Sequence, residues 1–373
     1  MGAEDIVKRL VSSADIEIDG SRPWDIQVHN PAMYDRVLRQ GSLGFGESYM
    51  DGDWDSEDLE TTIVKILESG GERQLARQPL LAARLGLFYL SQVIPNRGAR
   101  RRAWEIGKHH YDIGNDLYRR MLDRRMIYSC GYWRNASTLD EAQEGKLDLI
   151  CRKLGLEPGM RVLDIGCGWG GFLKYAAEQY GITGVGVTVS EQQANFARES
   201  VSGLPLEIRL CDYREIKGTF DRILSIGMFE HVGVKNYPVY MRVVNERLAK
   251  GGLHLLHTIG NNKPIRSRDR WIARYIFPNS KLPALCQIDP AARRYFVLED
   301  MHNFGPDYAK TLRAWHENFT AAWPELAAQY DERFRRMWEY FLLSCAASFR
   351  ARKTQLWQLV YSRGREETYH SVR

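Results

Sequence analysis

Between residues 160 and 260 the chain alternates β-rich pieces with helical ones, and this constrains its fold more than any other feature. The pieces run RVLDIG, a helical FLKYAAEQYG, GVGVTVS, a helical EQQANFARES, LEIRLCD, DRILSIG, a helical pattern near YMRVVNERLAKGG, then LHLLHTIG. Strands this apolar are buried on both faces, and repeated strand–helix–strand units bury them by laying helices on either side of a parallel sheet. The expected class is therefore α/β, a doubly wound, Rossmann-like sheet. Ligands of such sheets bind beyond the carboxyl ends of the strands.

One turn at such a strand end carries a motif. Asp164 to Gly171 reads DIGCGWGG, directly after an apolar strand and directly before a helix. Glycines there permit a tight turn and a close backbone approach, with helix N-terminal amides facing the ligand. Gly166, Gly168 and Gly171 fit the GxGxxG of dinucleotide sites; Asp164, Gly166, Gly168 and Gly170 fit the DxGxGxG of S-adenosylmethionine methyltransferases. A dinucleotide site ends its second strand with an acid for the ribose. Here GVGVTVS ends in Thr188, Val189 and Ser190, with Glu191 already at the next helix start, which weighs against a dinucleotide. A glycine loop made only for tight packing stays open as the alternative.

At 373 residues the chain is longer than one ordinary domain. Its charge divides it: residues 1–72 hold 16 acidic and 6 basic side chains, net −10, which leaves +15 on the rest of a chain whose total is +5. We expect a small acidic α+β domain over 1–77, a basic linker over 78–102 and a catalytic domain over 103–373. In the first, GSLGFGESYMDGDW reads as a structured loop between two helices. Residues 73–104 contain seven arginines and no acid, suited to an anionic membrane surface or to docking on the acidic first domain. From about residue 306 the tail reads as mainly helical. The apolar run Leu85–Asn96 falls short of the ~20 residues of a spanning helix, and no secretory signal precedes the first acids. Six scattered cysteines, without CxxC spacing, imply reduced thiols and no metal site. The expected location is the cytoplasm.

The segments GKHHYDIGNDLY, MIYSCGYW, RVLDIGCGWGG, GVTVSEQQ, CDYR, SIGMFEHVG, LLHTIG, YIFPN, FGPDY and FRARKTQLWQLVYSRG stand in the order found in the cyclopropane-fatty-acyl-phospholipid synthases and the related mycolic acid cyclopropane synthases, which this chain resembles. GSLGFGESYMDG extends the resemblance into the first unit. It implies a class I S-adenosylmethionine methyltransferase fold with lipid-binding helical additions. It also implies that the polar Thr188 and Gln193 stand in place of the ribose-binding acid, with Val189 among the cofactor contacts, that Asp212 and Tyr213 lie at the adenine, and that Tyr128 and Ser129 approach the methionine end, beside the Asp164, Gly166, Gly168 and Gly170 loop.

The implied reaction adds a methylene to a cis double bond of an acyl chain. An alkene is a weak nucleophile, so it needs the sulfonium methyl of S-adenosylmethionine as electrophile, and the resulting carbocation closes to a ring when a base removes a proton from the new methyl. By resemblance that base is a bound bicarbonate held by Cys130, Glu230, His257, the Ile259 backbone and Tyr308; His231, next to Glu230, reads as structural. Cys345 matches a family position suspected of nucleophilic catalysis, yet Phe341, Leu342 and Phe349 recur around it at helical spacing, which reads as burial. Residues 263–281 interleave Lys263, Arg266, Arg268, Arg270, Arg274 and Lys281 with Trp271, Tyr275, Ile276 and Phe277; they suit a membrane interface, or a solvated helix with one buried face. The partners implied are a phospholipid bilayer touched peripherally at its inner face, its unsaturated lipids as substrate, and a second copy of the chain; no nucleic acid is among them. A methyl-branching lipid methyltransferase or a silent S-adenosylmethionine-binding protein would share the fold.

Overall fold

The computed structural model describes residues 2–70, 114–265, 268–278 and 280–373. The expected linker over 78–102 and its arginines lie outside them. The described residues form two compact units, one from 2–70, 265, 268–278 and 312–353, the other from 114–264, 280–311 and 354–373.

In the first unit, helices Ala3–Ser12, Ala32–Gln40, Ser42–Met50 and Leu59–Ser69 accompany a short antiparallel ribbon of β1 (Gln27–Val28) and β2 (Trp54–Asp55). The segment expected as a loop, GSLGFGESYM, is helical from Ser42 to Met50. Gly41, at φ 60°, makes the turn between helices Ala32–Gln40 and Ser42–Met50, while the other two glycines serve contact. A Cβ on Gly44 would collide with the Arg36 carbonyl, and one on Gly46 with the Trp271 ring. Helix Leu59–Ser69 packs on helix Glu332–Arg350. The acids of the early segment meet arginines of the later ones: Asp51 meets Arg333 at 2.8 Å, Asp55 meets Arg336 at 2.6 Å, and Glu60 meets Arg313 at 2.6 Å.

The second unit is built on one seven-stranded sheet in the order β5-β4-β3-β6-β7-β9-β8. Its strands are β3 (Arg161–Ile165), β4 (Thr183–Thr188), β5 (Leu206–Leu210), β6 (Phe220–Ile226), β7 (Leu248–Asn261), β8 (Val297–Asn303) and β9 (Thr354–Ser362). The first five are parallel, and β9 lies antiparallel between β7 and β8. The parallel strands and the helices Gly171–Tyr180, Glu191–Ser200 and Tyr237–Arg247 stand where the alternation puts them. The tail is mainly helical, as expected, through Arg350 and then departs from that reading. After helices Gly305–Leu326 and Glu332–Arg350, TQLWQLVYS forms β9, a strand buried from Gln355 to Ser362, a short run that periodicity alone does not separate from a buried helix segment. Two apolar layers cover the sheet, one around Phe229, Tyr240 and Trp357, the other around Leu147, Leu173 and Leu253. The chain reverses direction across the sheet between β3 and β6, which opens a crevice at their carboxyl ends.

Candidate active site

A cavity occupies that crevice. Its walls include Tyr128, Ser129, Asp164, Gly166, Gly168, Thr188, Val189, Gln193, Asp212 and Tyr213, so ten of the eleven expected cofactor residues share one space. Gly170 stands outside the wall. It caps the following helix at φ 84°, with room for a Cβ only 3.2 Å from that of Ala197. Gly166 is also left-handed, at φ 89°, and its backbone passes Met228 so closely that a Cβ would stand 2.6 Å from the Met228 Cβ.

At the end of β4, Ser190 caps the Glu191–Ser200 helix by accepting from the Gln193 amide, while Thr188 Oγ1 donates to Gln193 Oε1 at 2.9 Å. The polar pair is thus fixed by the same turn that starts the helix. Asp212 caps the short turn Tyr213–Glu215 and takes the Arg214 Nε at 2.7 Å, so its turn role and its wall position coincide.

Lys146, not singled out in the sequence, helps complete the wall, as do Trp169 of the glycine loop and His231, which the sequence reads as structural. Lys146 projects from helix Leu139–Leu154, is fully buried, and donates to Ser129 Oγ at 2.9 Å. Burial lowers its pKa to about 8 against the pull of Asp123, and burial raises Asp164 to about 7 with Lys146 opposing. Asp164 Oδ1 is buried without a partner among the described residues. An acceptor of this kind at the end of β3, beside a loop of left-handed glycines, fits the amine and hydroxyl donors of S-adenosylmethionine. Burial depresses His231 to about 4, which keeps it neutral.

None of the expected anion-site residues Cys130, Glu230, His257, Ile259 and Tyr308 is on the wall of that cavity, and among them Glu230 and Ile259 meet directly. Glu230, in the turn after β6, accepts the Ile259 N–H on Oε1 at 2.6 Å, so that amide is engaged by the carboxyl itself. Burial raises Glu230 to about 7, with the Ile259 amide opposing. His257, two residues earlier on β7, is held neutral by burial and then by the cations of Lys146 and Lys153. Its Nδ1 lies 3.3 Å from Gln358 Nε2, and its Nε2 and Glu230 Oε2 are buried without partners among the described residues. Cys130 is buried, its thiol pushed well up by burial and by Asp307. Its segment is tied to the start of helix Gly305–Leu326, which carries Tyr308, through Gly131 N to Thr311 Oγ1 at 3.0 Å and Trp133 N to Asp307 Oδ2 at 2.8 Å. Phe304 places its ring centroid 5.9 Å from that of His257 and 5.4 Å from that of Tyr132, two residues after Cys130.

Cys345 and residues 268–278 belong to the first unit. Burial and then Asp269 push the Cys345 thiol up to about 12, against a Ser344 hydrogen bond, which suppresses the thiolate a nucleophile needs. Trp271 and Ile276 are buried at 1% exposure each, Trp271 donating to Met50 Sδ, so these two do not form the lipid-facing edge read from the sequence. The short helix Arg270–Tyr275 has one buried face, and Arg274 is exposed. No helix among the described residues is long and apolar enough to cross a membrane.

Comparisons with known proteins agree with this geometry. The family model for mycolic acid cyclopropane synthetase matches residues 99–359. The cyclopropane-fatty-acyl-phospholipid synthase of Escherichia coli is 52% identical over 364 residues, covering 97% of this chain and 94% of that one. The solved structure of the cyclopropane synthase MmaA2 from Mycobacterium tuberculosis superposes with a TM-score of 0.66 at 31% identity, over 70% of this chain and 98% of its own. That of the mycolic acid cyclopropane synthase CmaA1 complexed with SAH and CTAB gives 0.66 at 32%, over 69% of this chain and 97% of its own.

Proposed function

The chain belongs to the mycolic acid cyclopropane synthetase family, and from that premise we infer that it transfers a methylene from S-adenosylmethionine to the cis double bond of unsaturated acyl chains in membrane phospholipids, closing a cyclopropane ring. The observation that carries this reading is the identity over 97% of the chain with the E. coli synthase, since likeness confined to the glycine loop would support methyl transfer alone. When bound, S-adenosylmethionine supplies an electrophilic methyl on sulfur. The chain supplies position and dryness. Trp169 and Phe172 give the cavity a buried apolar wall, and Lys146 fixes the Ser129 hydroxyl. Excluding water strengthens every electrostatic contact inside and protects the cationic chain until it closes.

Ring closure requires a proton acceptor at the new methyl. Bicarbonate, held by Cys130, Glu230, His257 and Tyr308 with Ile259 acting through Glu230, supplies that base when bound. The two unpartnered atoms, Glu230 Oε2 and His257 Nε2, support the assignment: each costs about 1–3 kcal/mol when buried alone, and an anion's oxygens would satisfy both. Below about pH 7 Glu230 carries a proton and presents an O–H donor while the Ile259 amide holds its other oxygen. A neutral His257 meets the anion without adding a charge. The same reading assigns the protein a peripheral place at the inner face of the membrane and a homodimeric assembly.

Mass analysis of acyl chains after incubation with S-adenosylmethionine and vesicles of a cis-monounsaturated phospholipid tests the function. The expected product is heavier by one CH₂ and has lost its double bond; a heavier chain that keeps the double bond would replace ring formation by methyl branching. In carbonate-depleted buffer turnover is expected to fall and to recover on adding bicarbonate, and Glu230→Gln to lose most of it. Full turnover without bicarbonate would make a side chain the base.

A further inference from the structure

Gln358 lies in the middle of β9, fully buried, in a run otherwise made of Leu356, Trp357, Leu359 and Val360. A polar side chain at such a position costs free energy unless it is hydrogen-bonded. The register pairs it with His257 of β7 on one side and with His302 of β8 on the other. Residues directly opposite across a ladder leave the sheet on the same face, so the three side chains form a row. Helix Leu139–Leu154 closes the far end of that row, with Lys153 Nζ 3.2 Å from His302 Nδ1 and 3.3 Å from the Asp300 carboxylate. At the near end His257 keeps one buried nitrogen, Nε2, without a partner among the described residues.

We propose that Gln358 is a positioning residue whose amide N–H donates to His257 Nδ1, fixing the neutral imidazole in the tautomer that carries its proton on Nε2. The inference rests on the bicarbonate reading for its purpose, since an anion there needs a donor, but its geometry stands in this chain alone. A neutral imidazole has one N–H and one bare nitrogen, and the partner of one decides the other. With the amide nitrogen on Nδ1, one of its N–H groups has an acceptor and the Gln358 atom left without a partner among the described residues is Oε1, an acceptor. The reversed amide would bury donors without acceptors, and orphaned N–H groups are rarer than under-used carbonyls. It would also turn a lone pair of His257 toward the anion. Burial with Lys146 and Lys153 nearby keeps His257 uncharged, so orientation rather than protonation makes it a donor.

The test uses the full-length protein labelled with ¹⁵N-histidine. Two-bond correlations between ring protons and nitrogens report each tautomer, and the His257 signals are those lost in His257→Gln. Near neutral pH, with and without S-adenosylhomocysteine, His257 is expected in the Nε2–H form. In Gln358→Glu the carboxylate accepts from Nδ1–H, so the tautomer inverts or the ring charges. Turnover is then expected to fall about tenfold or more, as when the outer partner of a ligating histidine is removed, with S-adenosylhomocysteine affinity by calorimetry unchanged. Gln358→Leu removes the bias and should show both tautomers. An Nδ1–H signal in the unaltered protein overturns the proposal, even where no variant folds. So does a Gln358→Glu protein with unchanged tautomer and turnover. Bicarbonate-independent turnover with an Nε2–H ring would reject the anion site while upholding the tautomer; bicarbonate-dependent turnover with an Nδ1–H ring would do the reverse.

Discussion

Gly166 holds a φ of 89° against Met228. A side chain there is strained twice, by backbone and by contact, so Gly166→Ala is expected to cost about 1–3 kcal/mol. It should also abolish S-adenosylhomocysteine binding by calorimetry; binding at unaltered affinity would show that the loop tolerates a Cβ. Glu230 makes a different demand. Its carboxyl rises from the ordinary 4.5 to about 7 through burial, so between those values the folded protein holds a proton that the unfolded chain has released. Stability then falls as pH rises through that window, by on the order of 3 kcal/mol. Glu230→Gln should flatten the slope of unfolding free energy between pH 5 and 7 by up to about 1.4 kcal/mol per pH unit, and equal slopes in both proteins would contradict it. The place of Thr188, Gln193 and Asp212 on the cavity wall was legible because strand ends and caps announce themselves. Lys146 and Gln358 were not, since a lysine in an amphipathic helix usually reaches solvent and a glutamine in a strand usually marks its wet face. A signal did exist in the seven-residue spacing of Lys146 and Lys153 on the apolar face of helix Leu139–Leu154, where both are buried.

At the level of elements, the parallel strands and their helices were read correctly because period and punctuation agreed. GSLGFGESYM was not, because glycine signals both a turn and a close approach, and at Gly46 it is the Trp271 ring, more than two hundred residues away, that shows which. Gly46→Val is therefore expected to overpack the first unit and lower stability by about 1–3 kcal/mol, measured by chemical denaturation; a neutral result would deny the contact. Helix Glu332–Arg350 offers the complementary case. Cys345 sits in it with a suppressed thiolate, so Cys345→Ser should keep substantial turnover at a cost of about 1 kcal/mol in stability. Complete loss of turnover in a folded, S-adenosylhomocysteine-binding Cys345→Ser protein would make that cysteine catalytic.

Across the whole molecule, the −10 of the first 72 residues is not simply an exposed acidic face. Arg313, Arg333 and Arg336 of the same unit meet Glu60, Asp51 and Asp55. The proposed homodimer therefore has to draw on what this internal pairing leaves over. Sedimentation is expected to show a dimer at low salt that loosens as salt screens its charged rim, and a monomer at low salt would reject the assembly. Glu60 and Arg313 are 253 residues apart in the chain. On a ribosome adding about 5–20 residues per second, Glu60 is made roughly 13 to 50 s before the arginine that meets it. Through that interval the amino-terminal segment is a nascent chain without its partners, open to proteases and chaperones, and its folding is timed by the synthesis of the far end of the protein.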